Sequence, residues 1–239
     1  MGIEGDRLRR TMKNRSVSAN GATRRWLLAE WVTALVVGCT LSLPGAARGG
    51  YAPSPPVPAA IQVPDGNRAF LEGHGVGTQN YICLPCPNPT SPAATCPDTS
   101  GFAWILFTPE ATLFSDRGKQ LTTHFFSANP SENGTVRATW RHAGDSSTVW
   151  GGRAMPSSDP AFVAANAVPW LLLTAAGVQE GPTGGRTLTA TTFIQRLNTA
   201  GGVAPSSGCS RAADVGAKAF VPYSADYLFY TDDRHEEGR

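Results

Sequence analysis

Two histidines fall on segments whose composition suggests consecutive strands, His124 after Thr122-Thr123 and His142 after Trp140-Arg141. Two imidazoles on paired strands can hold a metal ion or pass a proton. Register argues against a shared site. A two-residue turn at Asn133-Gly134 sets Phe125 opposite His142 and turns His124 to the other face, unless a bulge near Pro130 reverses the parity. Hydrogen-bonded structural histidines are the simpler assignment, and neither a metal nor a cofactor is expected. A second polar group, Gln195, Arg196, Asn198 and Thr199, could line a cleft together with these histidines. The same residues equally suit a turn into Gly201-Gly202, with Arg196 pairing with Asp226, and that structural reading is preferred.

Gly144-Asp145-Ser146-Ser147, with Asp232-Asp233-Arg234-His235 downstream, is similar to the two blocks of the lipase and esterase family named for Gly-Asp-Ser. The resemblance implies acyl transfer by a serine that a histidine activates. That family places its serine near the start of an α/β domain, whereas Ser146 sits mid-chain between β-like segments. His235 falls in a charged tail, residues 231–239. A turn at Asp145-Ser146 and a solvated tail are therefore expected, with no assembled triad. Trp104, Trp140, Trp150 and Trp170 could stack on sugar rings, but their apolar neighbours assign most of them to a core.

Residues 1–47 read as an export signal peptide, with Arg24-Arg25 before an apolar run and small residues at Gly45-Ala46-Ala47. Thr23-Arg24-Arg25-Trp26-Leu27-Leu28 also suits a twin-arginine signal. Val36-Val37-Gly38-Cys39 offers a competing lipoprotein box in which Cys39 would carry the lipid. The apolar run is shorter than the roughly 20 residues of a membrane helix, so none is expected in the mature chain. The first fifty residues carry 8 of the 20 basic and 3 of the 18 acidic side chains, which leaves 12 against 15, a net charge of −3. No basic stripe remains for nucleic acid.

Of the 5 cysteines, Cys39 lies in the leader, and Cys83, Cys86, Cys96 and Cys209 remain. An even number in an oxidising compartment predicts two disulfides, in any of three connectivities. Cys83-Leu84-Pro85-Cys86 has a spacing that zinc also uses, but export favours oxidation, and Pro85, Pro87 and Pro89 deny the helix N-terminus that a redox pair requires.

Residues 48–59 form a proline-rich linker, and 60–230 a single β-rich domain. Short aromatic and β-branched runs broken by Gly, Pro, Asn and Asp predict an all-β antiparallel sandwich or partly closed barrel. Phe102 to Phe107 reads as a strand covered on both faces. Thr135 to Trp140 alternates, with Val136, Ala138 and Trp140 facing a core. Asn133-Gly134 marks the hairpin.

Gly77-Thr78-Gln79-Asn80-Tyr81-Ile82-Cys83, Trp104 to Phe114, Thr122 to Phe126, Pro169 to Leu173, Thr191 to Pro205 and Phe220 to Tyr230 together resemble a family of exported bacterial and fungal proteins of unknown function. The resemblance implies Cys83 bonded to Cys209, which both lie in matching stretches, and leaves Cys86 for Cys96 in a loop where relatives are shorter. Some fungal members carry a malate dehydrogenase label. Gly73-His74-Gly75-Val76-Gly77 has the wrong spacing for a dinucleotide loop and leads into a strand, so that activity is rejected.

These readings lead to a periplasmic or extracellular binding or structural module whose partner is an envelope or extracellular ligand, carbohydrate among the candidates. The alternative is an extracellular hydrolase acting on a polymer.

Overall fold

The computed structural model describes residues 56–86 and 101–236. The leader with Cys39, most of the linker, and Cys96 lie outside the described residues. Eight strands follow one another: β1 (Asn67–Pro85), β2 (Phe102–Phe114), β3 (Gln120–Asn129), β4 (Thr135–His142), β5 (Thr148–Ser157), β6 (Trp170–Gln179), β7 (Phe193–Gly201) and β8 (Lys218–Asp232). Each pairs antiparallel with the next, and β8 pairs back onto β1 between Asn67 and Ile82. The sheet therefore closes into a barrel without a free edge. The expected all-β antiparallel domain is present, and the barrel is fully closed.

One end of the barrel is filled. Leu113, Val149, Leu188, Ile194 and Phe229 are buried there, with Phe70 and Leu71 against them. The outer faces of β6, β7 and β8 are apolar as well, through Trp170, Leu172, Leu197, Leu228 and Tyr230. They are covered by the segment around Ile61 and by Phe162 and Val163 of the β5–β6 loop. Elsewhere polar residues such as His74 and Thr78 of β1 face outwards. No helix among the described residues is long and apolar enough to cross a membrane.

Gly73, Gly75 and Gly77 share the inward face of β1. A Cβ on Gly75 would lie 2.9 Å from the Tyr227 ring, and one on Gly77 would collide with the Glu110 carbonyl. These glycines let β2 and the Tyr227 ring approach the β1 backbone, a packing role on a strand.

The β3–β4 hairpin is longer than Asn133-Gly134 alone suggests. Pro130–Glu132 forms a 3-10 turn, capped by the Asn129 side chain accepting from the Ser131 amide. Asn133 and Gly134 do take positive φ, 53° and 82°. The added residues shift the register, so His142 pairs with Thr122 and His124 with Trp140. The expected opposition of Phe125 and His142 is thus incorrect: Phe125 meets Thr139, and both histidines lie on one face. Two further expectations change. Phe102 to Phe107 is a strand, but Phe107 is exposed, and Val136 is 62% exposed at the barrel rim instead of lying in a core.

Candidate functional site

The unfilled end of the barrel holds a cavity of about 400 Å³. Its volume originates in small side chains on adjoining strands: Ala138 of β4 and Gly151, Gly152 and Ala154 of β5 all line it. The β5–β6 pairing shifts register at Gly151, an irregularity that bends a strand locally. Leu106, Phe126, Leu171 and Leu173 supply apolar walls. An eight-stranded barrel is just wide enough for side chains to fill it or for one small ligand to enter.

The floor of the cavity is aromatic. His124 stacks on Trp140 with ring centroids 4.2 Å apart and planes 7° from parallel. Trp140 in turn meets Tyr227 and Phe229 edge-on at 5.7 and 6.1 Å. The His124 Nδ1 lies 3.0 Å from the Thr139 carbonyl, which can only accept, so Nδ1 carries the proton and Nε2 is left as an acceptor. Burial pushes the His124 pKa down to about 3, against the raising effect of the Thr139 carbonyl, and the Arg196 charge lowers it further. His124 is a neutral imidazole at physiological pH.

Above the floor stands Arg196 on β7. Its Nε and Nη2 donate to the Pro169 carbonyl at 3.2 and 2.8 Å, which fastens the β5–β6 loop across β7. Thr199 assists by donating to the Val168 carbonyl at 2.6 Å. Among the described residues no carboxylate pairs with Arg196. Tyr81, Tyr223 and Tyr227 surround it, and burial raises all three phenols despite the lowering influence of the guanidinium. They stay protonated and cannot balance its charge. Tyr81 donates to the Gly202 carbonyl at 2.7 Å, and the Tyr223 and Tyr227 hydroxyls meet at 3.1 Å. Gln79 lines the cavity at 2% exposure; its side chain approaches the Tyr223 hydroxyl and acts to lower that phenol's pKa, but among the described residues its amide nitrogen has no acceptor in good hydrogen-bond geometry.

The polar group proposed from sequence separates. His124 and Arg196 both line the cavity. Gln195 points to the opposite face of β7, donating to the Ile61 carbonyl at 2.8 Å and accepting from the Tyr230 hydroxyl at 2.9 Å. Asn198, at φ 50°, donates to Asp226 on the outer surface. Asp226 is thus the partner of Asn198, and Arg196 bonds a carbonyl instead. His142 stands at the β4–β5 turn, where its Nδ1 lies 2.9 Å from Asp145.

Asp145 is a structural hub. One oxygen also accepts from the Ser147 amide and hydroxyl, and the other from the Thr187 amide and hydroxyl. Ser147 donates to the aspartate and accepts from the Leu188 amide, so it is not placed as a nucleophile before His142. Ser146 occupies the turn at φ 60°. The His235 side chain lies outside the described residues. Trp140, Trp150 and Trp170 are buried, whereas Trp104 is half-buried and donates to the Ser207 carbonyl at 3.0 Å.

Cys83 at the end of β1 is bonded to Cys209 in the β7–β8 loop, their Cα atoms 5.4 Å apart. Cys86 is also disulfide-bonded. No group of three or more His, Cys, Asp and Glu among the described residues could hold a metal ion.

Gln79, Tyr81 and Tyr227 are cavity residues that sequence reasoning did not single out. Their signal was available: Gln79 and Tyr81 continue the alternation of Gly73, Gly75 and Gly77 on β1. No curated protein and no solved structure matches the chain at a significant level. Residues 64–231, which hold all of the cavity's lining, match the family described as Protein of unknown function (DUF3455), and the chain belongs to that family.

Proposed function

We propose that the protein is an exported binding module that takes one small, largely apolar molecule into the open end of its barrel. The cavity of about 400 Å³ carries this reading, since it falls within the roughly 300–1,000 Å³ usual for small-ligand sites. Its apolar walls, aromatic floor and few convergent polar groups are the composition such sites use. The disulfide between Cys83 and Cys209 is compatible with export to an oxidising compartment. Polymer hydrolysis is the weaker reading, because the Asp145–His142 pair holds a turn together and the neutral His124 stacks within the floor.

Titration with N-phenyl-1-naphthylamine, an uncharged apolar fluorophore, tests the proposal. Saturable binding of one molecule per chain is expected, and Ala138→Phe, which fills the cavity from β4, should abolish it without lowering the melting temperature. Ala154→Leu provides the same block from β5. Absence of saturable binding by the wild type, or full binding by both folded variants, would refute the proposal.

A further inference from the structure

We propose that the ligand is a monocarboxylate with an apolar body, its carboxylate received by Arg196 and the Gln79 amide and its body lying over the His124–Trp140 floor. This rests on the reading of the barrel interior as a ligand site. Arg196 is 9% exposed, and among the described residues its partners are all neutral, the Pro169 carbonyl and the protonated Tyr227 hydroxyl. Burying a guanidinium without a counter-charge costs several kcal/mol, and a carbonyl dipole offsets only part of that cost. Among the other groups lining the cavity, the Tyr81 and Tyr227 phenols are protonated and the imidazole is neutral, while Arg137 at the rim is already held by Glu132 at 2.9 Å through both Nε and Nη2. Among the described residues the cavity therefore supplies no counter-charge.

Gln79 is the second, independent observation. Its amide nitrogen is fully buried, has no well-aligned acceptor among the described residues beyond the approach of the Tyr223 hydroxyl, and belongs to the lining of the same cavity as Arg196. A buried donor without an acceptor is costly in a native interior. One ligand oxygen could satisfy it while the guanidinium binds the other. Two of the five Arg196 N–H groups are engaged by Pro169 and the guanidinium also donates to the Tyr227 hydroxyl, so donors remain for an anion. A single positive charge matches a monoanion; a dianionic phosphate would bring a second charge with no partner. The apolar walls of Leu106, Phe126, Leu171 and Leu173 exclude a fully hydrated ion and call for a hydrocarbon body.

Calorimetric titration of the full mature chain with decanoate, 1-decanol and decylamine separates the possibilities. Decanoate should bind about ten- to a hundredfold more tightly than decanol, the range of one charge-assisted contact, and decylamine should not bind. Arg196→Gln should remove the preference for decanoate while leaving decanol binding intact, and Arg196→Lys should retain part of it. Should Arg196→Gln fail to fold through loss of the Pro169 latch, Gln79→Leu serves instead, since the Gln79 amide nitrogen completes no well-aligned hydrogen bond among the described residues; it should weaken decanoate alone. Decanol binding as tightly as decanoate would overturn the carboxylate assignment and leave the cavity reading standing. Binding of none of the three would overturn both.

Discussion

The His124 ring lies flat on Trp140 at 4.2 Å while its Nδ1 is fixed by the Thr139 carbonyl at 3.0 Å, so one imidazole closes the barrel floor as a neutral aromatic plate. The folded state holds the His124 pKa at about 3, below the usual histidine value near 6.5 in an unfolded chain. The unfolded chain therefore takes up a proton that the folded chain refuses. This contribution to stability is complete above about pH 6.5 and declines by about 1 kcal/mol per pH unit as pH falls towards 3. Nitrogen-15 NMR should find His124 as the neutral Nδ1–H tautomer with flat shifts from pH 7 to 4. A midpoint between pH 6 and 7 would contradict this account of the floor.

Asp145 should govern stability in a lower pH window. Burial alone would raise its pKa, but hydrogen bonds from Thr187 and Ser147 outweigh burial and hold the carboxyl well below the usual range. A carboxyl depressed in the folded state stabilises above its unfolded value, about pH 4, and loses that contribution as pH falls further. Asp145→Asn should cost about 3 kcal/mol at pH 7, as the charged acceptor that joins the β4–β5 turn to the β6–β7 loop is lost. Chemical denaturation should register that loss at pH 7 and a much smaller difference near pH 2. Equal effects at both pH values would remove the charge from the explanation. Ester hydrolysis should remain at background in wild type, Ser147→Ala and His142→Ala alike.

The Cys83–Cys209 bond links positions separated by 126 residues and ties β1 to the β7–β8 loop. Backbone bonds already zip the same junction, with the Cys83 amide donating to the Ala217 carbonyl and the Gly216 amide to the Cys83 carbonyl, both at 2.9 Å. The reduced domain should accordingly keep its barrel while losing about 2 to 5 kcal/mol, mainly through a less restricted unfolded state. Intact mass should lie about 4 Da below the fully reduced value, with Cys86 joined to Cys96 in the second bond. A mass deficit of about 2 Da would leave that second pairing without support.

The fold was more legible in the sequence than the site was. Alternation in Thr135 to Trp140 and the turn residues between runs indicate an antiparallel all-β domain, because a period of two survives in any strand with one buried face. Register was less accessible, since the 3-10 turn at Pro130–Glu132 adds residues to the hairpin and reverses which histidines share a face. On β7, both faces are covered, one by the barrel interior and the other by Ile61 and its neighbours. Gln195 and Arg196 therefore looked like members of one polar cleft, although they point in opposite directions. Tyr81 and Tyr227 resembled ordinary core residues for a related reason: only barrel closure brings them around one guanidinium.

Chemical-shift perturbation of the tryptophan indoles by N-phenyl-1-naphthylamine tests the barrel-interior site most directly. Trp140 lines the cavity floor, whereas Trp104 is outside the lining and donates its indole N–H to Ser207. The account predicts a saturable shift of the Trp140 indole and the His124 ring, with the Trp104 indole unmoved. Perturbation confined to Trp104 and to exposed positions such as Val76 and Phe220, with Trp140 and His124 unchanged at saturation, would contradict it.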